Sequence, residues 1–282
     1  MALKTKSCLS WFGSDASVAP QLAELLNGCK HVAIPFTGGA SIIPHLTARA
    51  IVCNDLQSDA INFYRVASGV HGEKSQRDLF ALCERTLSHP EELERAWTVL
   101  ETGLTVDRAW AYWAVCWLGR KGKGGTDDGI KLPSVRWTAN GGTNASRIKA
   151  ASADLKTWAT HFERCEFQCL DFREFAGKLK DQPDCGSYWD SPWPKAGDRY
   201  EHKFTERDHR DMAAIVSEFE EHRVLIRNGD HPLIRELYPA DRWHIIEASS
   251  RTQANTNVGE LWITNFEPNH GGASLPDSNG NE

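Results

Sequence analysis

No apolar run in this chain is long enough to span a bilayer, and no basic, apolar, small-residue leader is visible. A soluble cytoplasmic protein with no membrane partner is the expectation. Cys-x-x-Cys pairs are also missing: the eight cysteines, at positions 8, 29, 53, 83, 116, 165, 169 and 185, lie dispersed. That spacing argues against a disulfide-dense scaffold and a zinc site, and predicts reduced, mostly buried thiols and no metal. Repeats and low-complexity tracts are absent until about residue 267, beyond which Gly, Asn, Ser, Pro and Asp prevail, and 267–282 reads as a disordered tail. An excess of basic charge is lacking as well. The net charge of -6 taken alone argues against a nucleic-acid partner.

Distribution changes the last point. Between 117 and 150 seven basic residues (Arg120, Lys121, Lys123, Lys131, Arg136, Arg147 and Lys149) face two acids, Asp127 and Asp128. The same stretch carries Gly119, Gly122, Gly124, Gly125, Gly129, Gly141 and Gly142, so it reads as loop or short ribbon. On charge alone a solvated surface loop explains it. A chain of 282 residues, 40% of them hydrophobic, can bury one full core with a modest insertion.

The chain alternates between two periodicities. Val18, Leu22, Leu25 and Leu26 share one helical face, with Ser14 or Ser17 as the cap. Val32 to Phe36 and Ile51 to Cys53 read as short buried strands, and 60–66, 75–87, 91–100 and 148–162 as helices. Trp110, Trp113 and Trp117 recur at helical spacing and predict a core-facing stripe. Further strands are expected at 186–189, 222–226 and 261–266, the last pairing with 244–247. Such alternation predicts a three-layer α/β domain with a mostly parallel sheet and active residues at the carboxyl ends of strands.

Three of those strand ends carry chemistry. The first strand runs into Thr37-Gly38-Gly39-Ala40, a glycine turn that admits close approach to the backbone, and the second ends in Asn54-Asp55, where a carboxylate can accept from ribose hydroxyls. Farther on, Tyr188-Trp189 leads into Asp190-Ser191-Pro192-Trp193. An aromatic amine such as that of adenine is a poor nucleophile because its lone pair is delocalised into the ring. Acceptors aimed at its hydrogens, the Asp190 carboxylate and the Ser191 carbonyl, would free that lone pair, and Trp193 would stack on a flipped base. A strand end followed by a proline turn is the plain alternative. His209, within Thr-Glu-Arg-Asp-His, is expected to pack or cap a helix start and not to act as a base.

In these motifs the chain resembles the Dam-type DNA adenine methyltransferases, in particular a phage-encoded branch. Pro35-Phe36-Thr37-Gly38-Gly39 looks like the family's Pro-Phe-x-Gly-x-Gly loop, Asn54-Asp55-Leu56 like its Asn-Asp strand end, and Asp190-Ser191-Pro192-Trp193 stands for Asp-Pro-Pro-Tyr. Cys169 to Phe172, Tyr200 to His209 and Gly259 to Phe266 agree in order, so the resemblance covers roughly residues 9 to 267. Two positions depart: Asp15 in Trp11-Phe12-Gly13-Ser14-Asp15 replaces a lysine, and Ser191 replaces the first proline.

The resemblance implies a Rossmann-like methyltransferase sheet of seven strands, the last antiparallel. The catalytic domain would comprise 1–100 and 151–266, and a small target-recognition insertion 101–150. It implies S-adenosyl-L-methionine as cofactor, double-stranded DNA as partner, and a bacterial or phage-infected cell as setting, with methylation of the restriction-modification kind. Trp11, Gly13, Pro35, Phe36, Gly38 and Gly39 would shape the cofactor loop, Asp55 would hold the ribose, and Asp171 with Phe172 would border the cofactor's adenine. Asp190, Ser191, Pro192 and Trp193 would hold the target base, and Arg120, Lys121, Lys123, Arg136 and Arg147 the DNA. Two other readings stay open: a catalytically weak or silent cofactor- and nucleic-acid-binding relative, or methylation of RNA or a modified base.

Overall fold

The computed structural model describes residues 3–119, 143–194, 202–251 and 257–268. Arg120, Lys121, Lys123 and Arg136 lie outside the described residues, as do Tyr200, Glu201 and the expected tail beyond Pro268. In chain order, α1 (Ala19–Leu25) leads to β1 (His31–Ile34), a 3-10 turn (Ile43–His45) and β2 (Ala50–Asn54). Four helices follow: α2 (Ser58–Ala67), α3 (Glu73–Arg85), α4 (Pro90–Thr102) and α5 (Thr105–Leu118). Then come α6 (Asn144–Phe162), β3 (Cys165–Gln168), α7 (Phe172–Ala176), β4 (Cys185–Trp189) and α8 (Glu206–Val216). The chain closes with β5 (Arg223–Gly229), α9 (Pro232–Leu237), β6 (His244–Arg251) and β7 (Asn257–Thr264).

Seven strands form one sheet in the order β3-β2-β1-β4-β5-β7-β6. The first five pair in parallel, whereas β7 runs antiparallel to both β5 and β6. The architecture is therefore α/β with a mostly parallel sheet, compatible with a Rossmann-like fold. Side chains that alternate along a strand point to opposite faces. Leu225 joins one core cluster, which gathers α1 to α6, while its neighbours Val224 and Ile226 join a second beneath α8 and α9. Both faces of the sheet are covered, which is why β1 and β5 read as near-continuous apolar runs.

The tryptophan stripe is core: Trp110, Trp113 and Trp117 are buried on α5. Every residue from Ala109 to Leu118 is buried, with α5 against α2, α3 and α4. Part of the stretch expected to be the insertion is therefore helical: α4 runs to Thr102 and α5 packs against α2, α3 and α4. The cap of α1 also differs. Neither serine caps it; the Asp15 carbonyl accepts from Val18 and Ala19 N–H at 2.8 and 2.9 Å, while Ser14 Oγ pairs with Ser41 Oγ at 3.0 Å. All eight cysteines are free thiols, six of them buried. Among the described residues no helix is long and apolar enough to cross a membrane, and no metal-ligand cluster occurs.

Candidate active site

The sheet order reverses between β1 and β4. The chain passes from β1 to β2 on one side and from β4 to β5 on the other, and open α/β sheets bind ligands at such a switch, beyond the carboxyl ends of the strands. The glycine loop follows β1, Asp55 follows β2, and Asp190 to Trp193 follow β4.

The loop is clamped from both sides. Gly38 takes φ +48°, donates its N–H to Asp55 Oδ2 at 2.9 Å, and accepts at its carbonyl from Tyr64 Oη at 2.6 Å. Thr37 closes the strand end by donating N–H and Oγ1 to the Asn54 carbonyl, each at 2.9 Å. A Cβ on Gly38 would sit 3.1 Å from Trp11 Nε1, and one on Gly39 2.9 Å from the Leu9 carbonyl. Here the close approach that the glycines permit is made by the N-terminal segment. Trp11 lies against the loop, and the Pro35 carbonyl accepts from Asn54 Nδ2 at 3.0 Å. Asn54 also exchanges bonds with Leu170, tying the ends of β1, β2 and β3 together.

Asp55 uses one oxygen on Gly38 and the other on Gln57 N–H at 3.0 Å. A carboxylate offers about four lone-pair positions, so about two remain for vicinal hydroxyls. Burial pushes its carboxyl up, against the lowering effect of the N–H donors of Gln57 and Gly38. Phe36 and Phe172 form a tilted pair with centroids 5.7 Å apart, and Phe204 meets Phe36 edge-on at 5.6 Å. Asp171 caps α7 through Arg173 N–H at 2.8 Å. His209 is buried with both ring nitrogens unpartnered and stands edge-on to Phe204 at 4.7 Å, and burial lowers its pKa to about 4. The ring packs in the first turn of α8 beside Phe204.

The turn after β4 faces a cation. Trp189 pairs with Ile226, so one residue further brings Asp190 level with Arg227 on β5. Arg227 Nη1 donates to both Asp190 oxygens at 3.1 and 3.3 Å and to the Gly13 carbonyl at 3.1 Å, while its Nε and Nη2 grip Glu260 of β7 at 2.8 and 2.9 Å. Asp15, where the resembled family has lysine, is buried and accepts from Tyr188 Oη at 3.0 Å. Burial pushes the Asp190 carboxyl up to about 7; Arg227 opposes that rise, while Asp15 and Glu260 add to it. Ser191 is buried with its Oγ against Asn228 Nδ2 at 3.3 Å, leaving its side chain turned inward.

No protein-family model and no curated protein matches this chain. The site therefore rests on its own geometry. Asp190 and the glycine loop flank one switch point, and Arg147, on α6, lies 5.7 Å from the centre of the Trp117 ring. Sequence reasoning missed Arg227 and Glu260. Their signal was a charge adjoining a run of three apolar residues, Val-Leu-Ile-Arg and Glu-Leu-Trp-Ile, which in a buried strand calls for a partner.

Trp193 rests on Gly229 and its ring centre lies 5.1 Å from Arg227 Cζ. A Cβ at Gly229 would come within 2.7 Å of Trp193 Cε3. Gly229→Ala must therefore shift the indole.

Proposed function

We propose that this protein is a DNA methyltransferase that uses S-adenosyl-L-methionine and modifies the exocyclic N6 amine of adenine. The observation that carries the reading is the juxtaposition of the clamped glycine loop after β1 with Asp190-Ser191-Pro192-Trp193 after β4, where the sheet order reverses between β1 and β4. The side chains present suit the cofactor: Asp55 retains acceptor positions for ribose hydroxyls, and Phe36 with Phe172 offers an aromatic wall for a purine. When bound, the cofactor supplies a methyl group activated by a sulfonium.

The chain's own residues supply placement and acceptors. Asp190 takes hydrogen bonds from the target amine and holds its nitrogen in line with the methyl group, Ser191 contributes its carbonyl, and Trp193 stacks on the base. The amine becomes acidic only after methylation, so Asp190 needs to receive a proton late, if at all. Methyl transfer from labelled cofactor to unmethylated genomic DNA and to RNA, followed by mass analysis of the nucleosides, tests this. N6-methyladenine in the DNA is the expected product; its absence from both polymers sinks the reading.

A second reading has an observation of its own. Asp190 is already ion-paired with Arg227, as a structural carboxylate would be, which suits a binding protein that does not catalyse. The same assay separates the two, and label in RNA alone would move the substrate.

Two substitutions probe binding. Asp55→Ala removes the carboxylate assigned to the ribose and frees the Gly38 N–H it holds. Charge-assisted hydrogen bonds are worth about 1.5–3 kcal/mol, so affinity for S-adenosylhomocysteine should fall roughly 10- to 100-fold by calorimetry. Unchanged affinity would move the ribose contact elsewhere. Neutralising Arg120, Lys121 and Lys123 together should weaken duplex binding and flatten the slope of log affinity against log salt by about 0.9 per lost phosphate contact. Fluorescence anisotropy at several salt concentrations reads both; values equal to wild type would leave that run as a solvated loop, with Arg136 and Arg147 next in line.

A further inference from the structure

We infer that Arg227 is a positioning residue for the proposed reaction: it holds Asp190 as an aimed acceptor at the end of β4, and Glu260 locks it there from behind. The inference rests on the methyltransferase reading, and it gives that reading a residue that no motif contains.

The geometry is specific to a guanidinium. Its Nη1 edge addresses both Asp190 oxygens and the Gly13 carbonyl, while the Nε and Nη2 edge makes a fork with Glu260. The Arg227 side chain is 5% exposed, that of Glu260 0%, and that of Asp190 18%, so the fork is sealed on the Glu260 side and open toward solvent at Asp190. One nitrogen spanning both carboxylate oxygens leaves each with a further lone pair for donors arriving from outside, as an amino group would. The guanidinium also reaches the ring of Trp193, so one side chain touches both the acceptor and the stacking surface.

Electrostatics favours the same role. The groups facing Asp190 are Arg227 on β5, Glu260 on β7, Asp15 ahead of α1 and Tyr188 on β4. Two of them are acids and one is a cation, in surroundings that already oppose ionisation. A protonated Asp190 would present an O–H donor to an amine that also donates. Of these groups Arg227 favours the ionised form, in which both oxygens only accept.

The test compares wild type with Arg227→Lys and Arg227→Gln. Carboxyl-¹³C resonances of aspartate-labelled protein, with Asp190 assigned from Asp190→Asn, are followed against pH. Single-turnover methyl transfer to adenine-containing duplex is measured over the same range. The Asp190 titration midpoint should rise in the order wild type, Lys, Gln, by about one pH unit or more for Gln. Transfer near neutrality should fall tenfold or more in Arg227→Gln and recover in part at higher pH, with affinity for S-adenosylhomocysteine held within about threefold. Lys, a single ammonium that cannot span the fork, should restore part of the rate.

A midpoint that stays put or falls in Arg227→Gln overturns the inference, as does a rate loss equal at every pH and untouched by Lys. Should Arg227→Gln fail to fold, Arg227→Lys carries the test, since its midpoint must still lie above wild type. If wild type transfers no methyl group while the Asp190 midpoint still rises, the enzyme reading fails and the hold of Arg227 on Asp190 stands.

Discussion

Asp190→Ala is expected to abolish methyl transfer, a loss of about 10²–10³-fold or more, while affinity for S-adenosylhomocysteine stays within a few fold. The magnitude follows from removing a preorganised hydrogen-bonding group aimed at the reacting centre. The selectivity follows from placement: Asp190 lies at the end of β4 against Arg227, whereas the clamped loop and Asp55 lie at the ends of β1 and β2. Truncation also deprives Arg227 of one of its two carboxylates, so a general loss of structure would mimic the result. Asp190→Asn keeps the shape and one acceptor oxygen but turns an N–H₂ toward either Arg227 or the amine. It should fold with wild-type cooperativity and still lose most of the transfer. Near wild-type turnover in Asp190→Ala would remove Asp190 from the reaction.

How legible this site was depended on what each residue contacts. β1 and β5 could be read because strands buried on both faces are apolar almost without interruption, and β4 because Gly186 to Trp189 leads into a proline turn. β3 could not, since Cys165 to Gln168 is four residues long, lies at the sheet edge and alternates buried with exposed positions. The expected pairing of 261–266 with 244–247 is realised in β6 and β7.

The expected border at 101 left Trp110, Trp113 and Trp117, read as core, on the insertion side; they are buried on α5. In the site, the acid and the glycines announced themselves as local motifs. Their supports are long-range. Tyr64 meets Gly38 across 26 positions and Arg227 meets Gly13 across 214, and no local pattern encodes either meeting. Asp15 illustrates the same limit: its replacement of a lysine stood out in the motif, but the partner that explains its burial, Tyr188, lies 173 positions away.

Glu260→Ala should lower stability by about 3–5 kcal/mol, because removing one member of a buried ion pair leaves the rest uncompensated. Three donors lose their acceptor at once: Arg227 Nε at 2.8 Å, Arg227 Nη2 at 2.9 Å and Trp262 Nε1 at 2.6 Å. For a chain of this size that corresponds to a fall in Tm on the order of 10 °C. Glu247→Ala is the matched control. Its partner Arg235 is at a similar distance, 2.7 Å, but the two side chains are 71% and 43% exposed, and such pairs are worth about 0–1 kcal/mol. Equal melting of the two variants would show that the buried fork does not hold the sheet together.

The outcome also bears on why the fork exists. Replacing a buried ion pair by apolar residues of similar volume is often neutral or stabilising by about 1–4 kcal/mol, so Arg227→Met with Glu260→Met should melt above Glu260→Ala. Yet that double variant strands Asp190 in a buried setting without a cation, where its carboxyl takes up a proton, presents an O–H donor to the amine and keeps only its carbonyl oxygen as a neutral acceptor. A protein more stable than Glu260→Ala and still devoid of transfer would assign the two charges to the chemistry of Asp190. Full transfer in the double variant would assign them to folding alone.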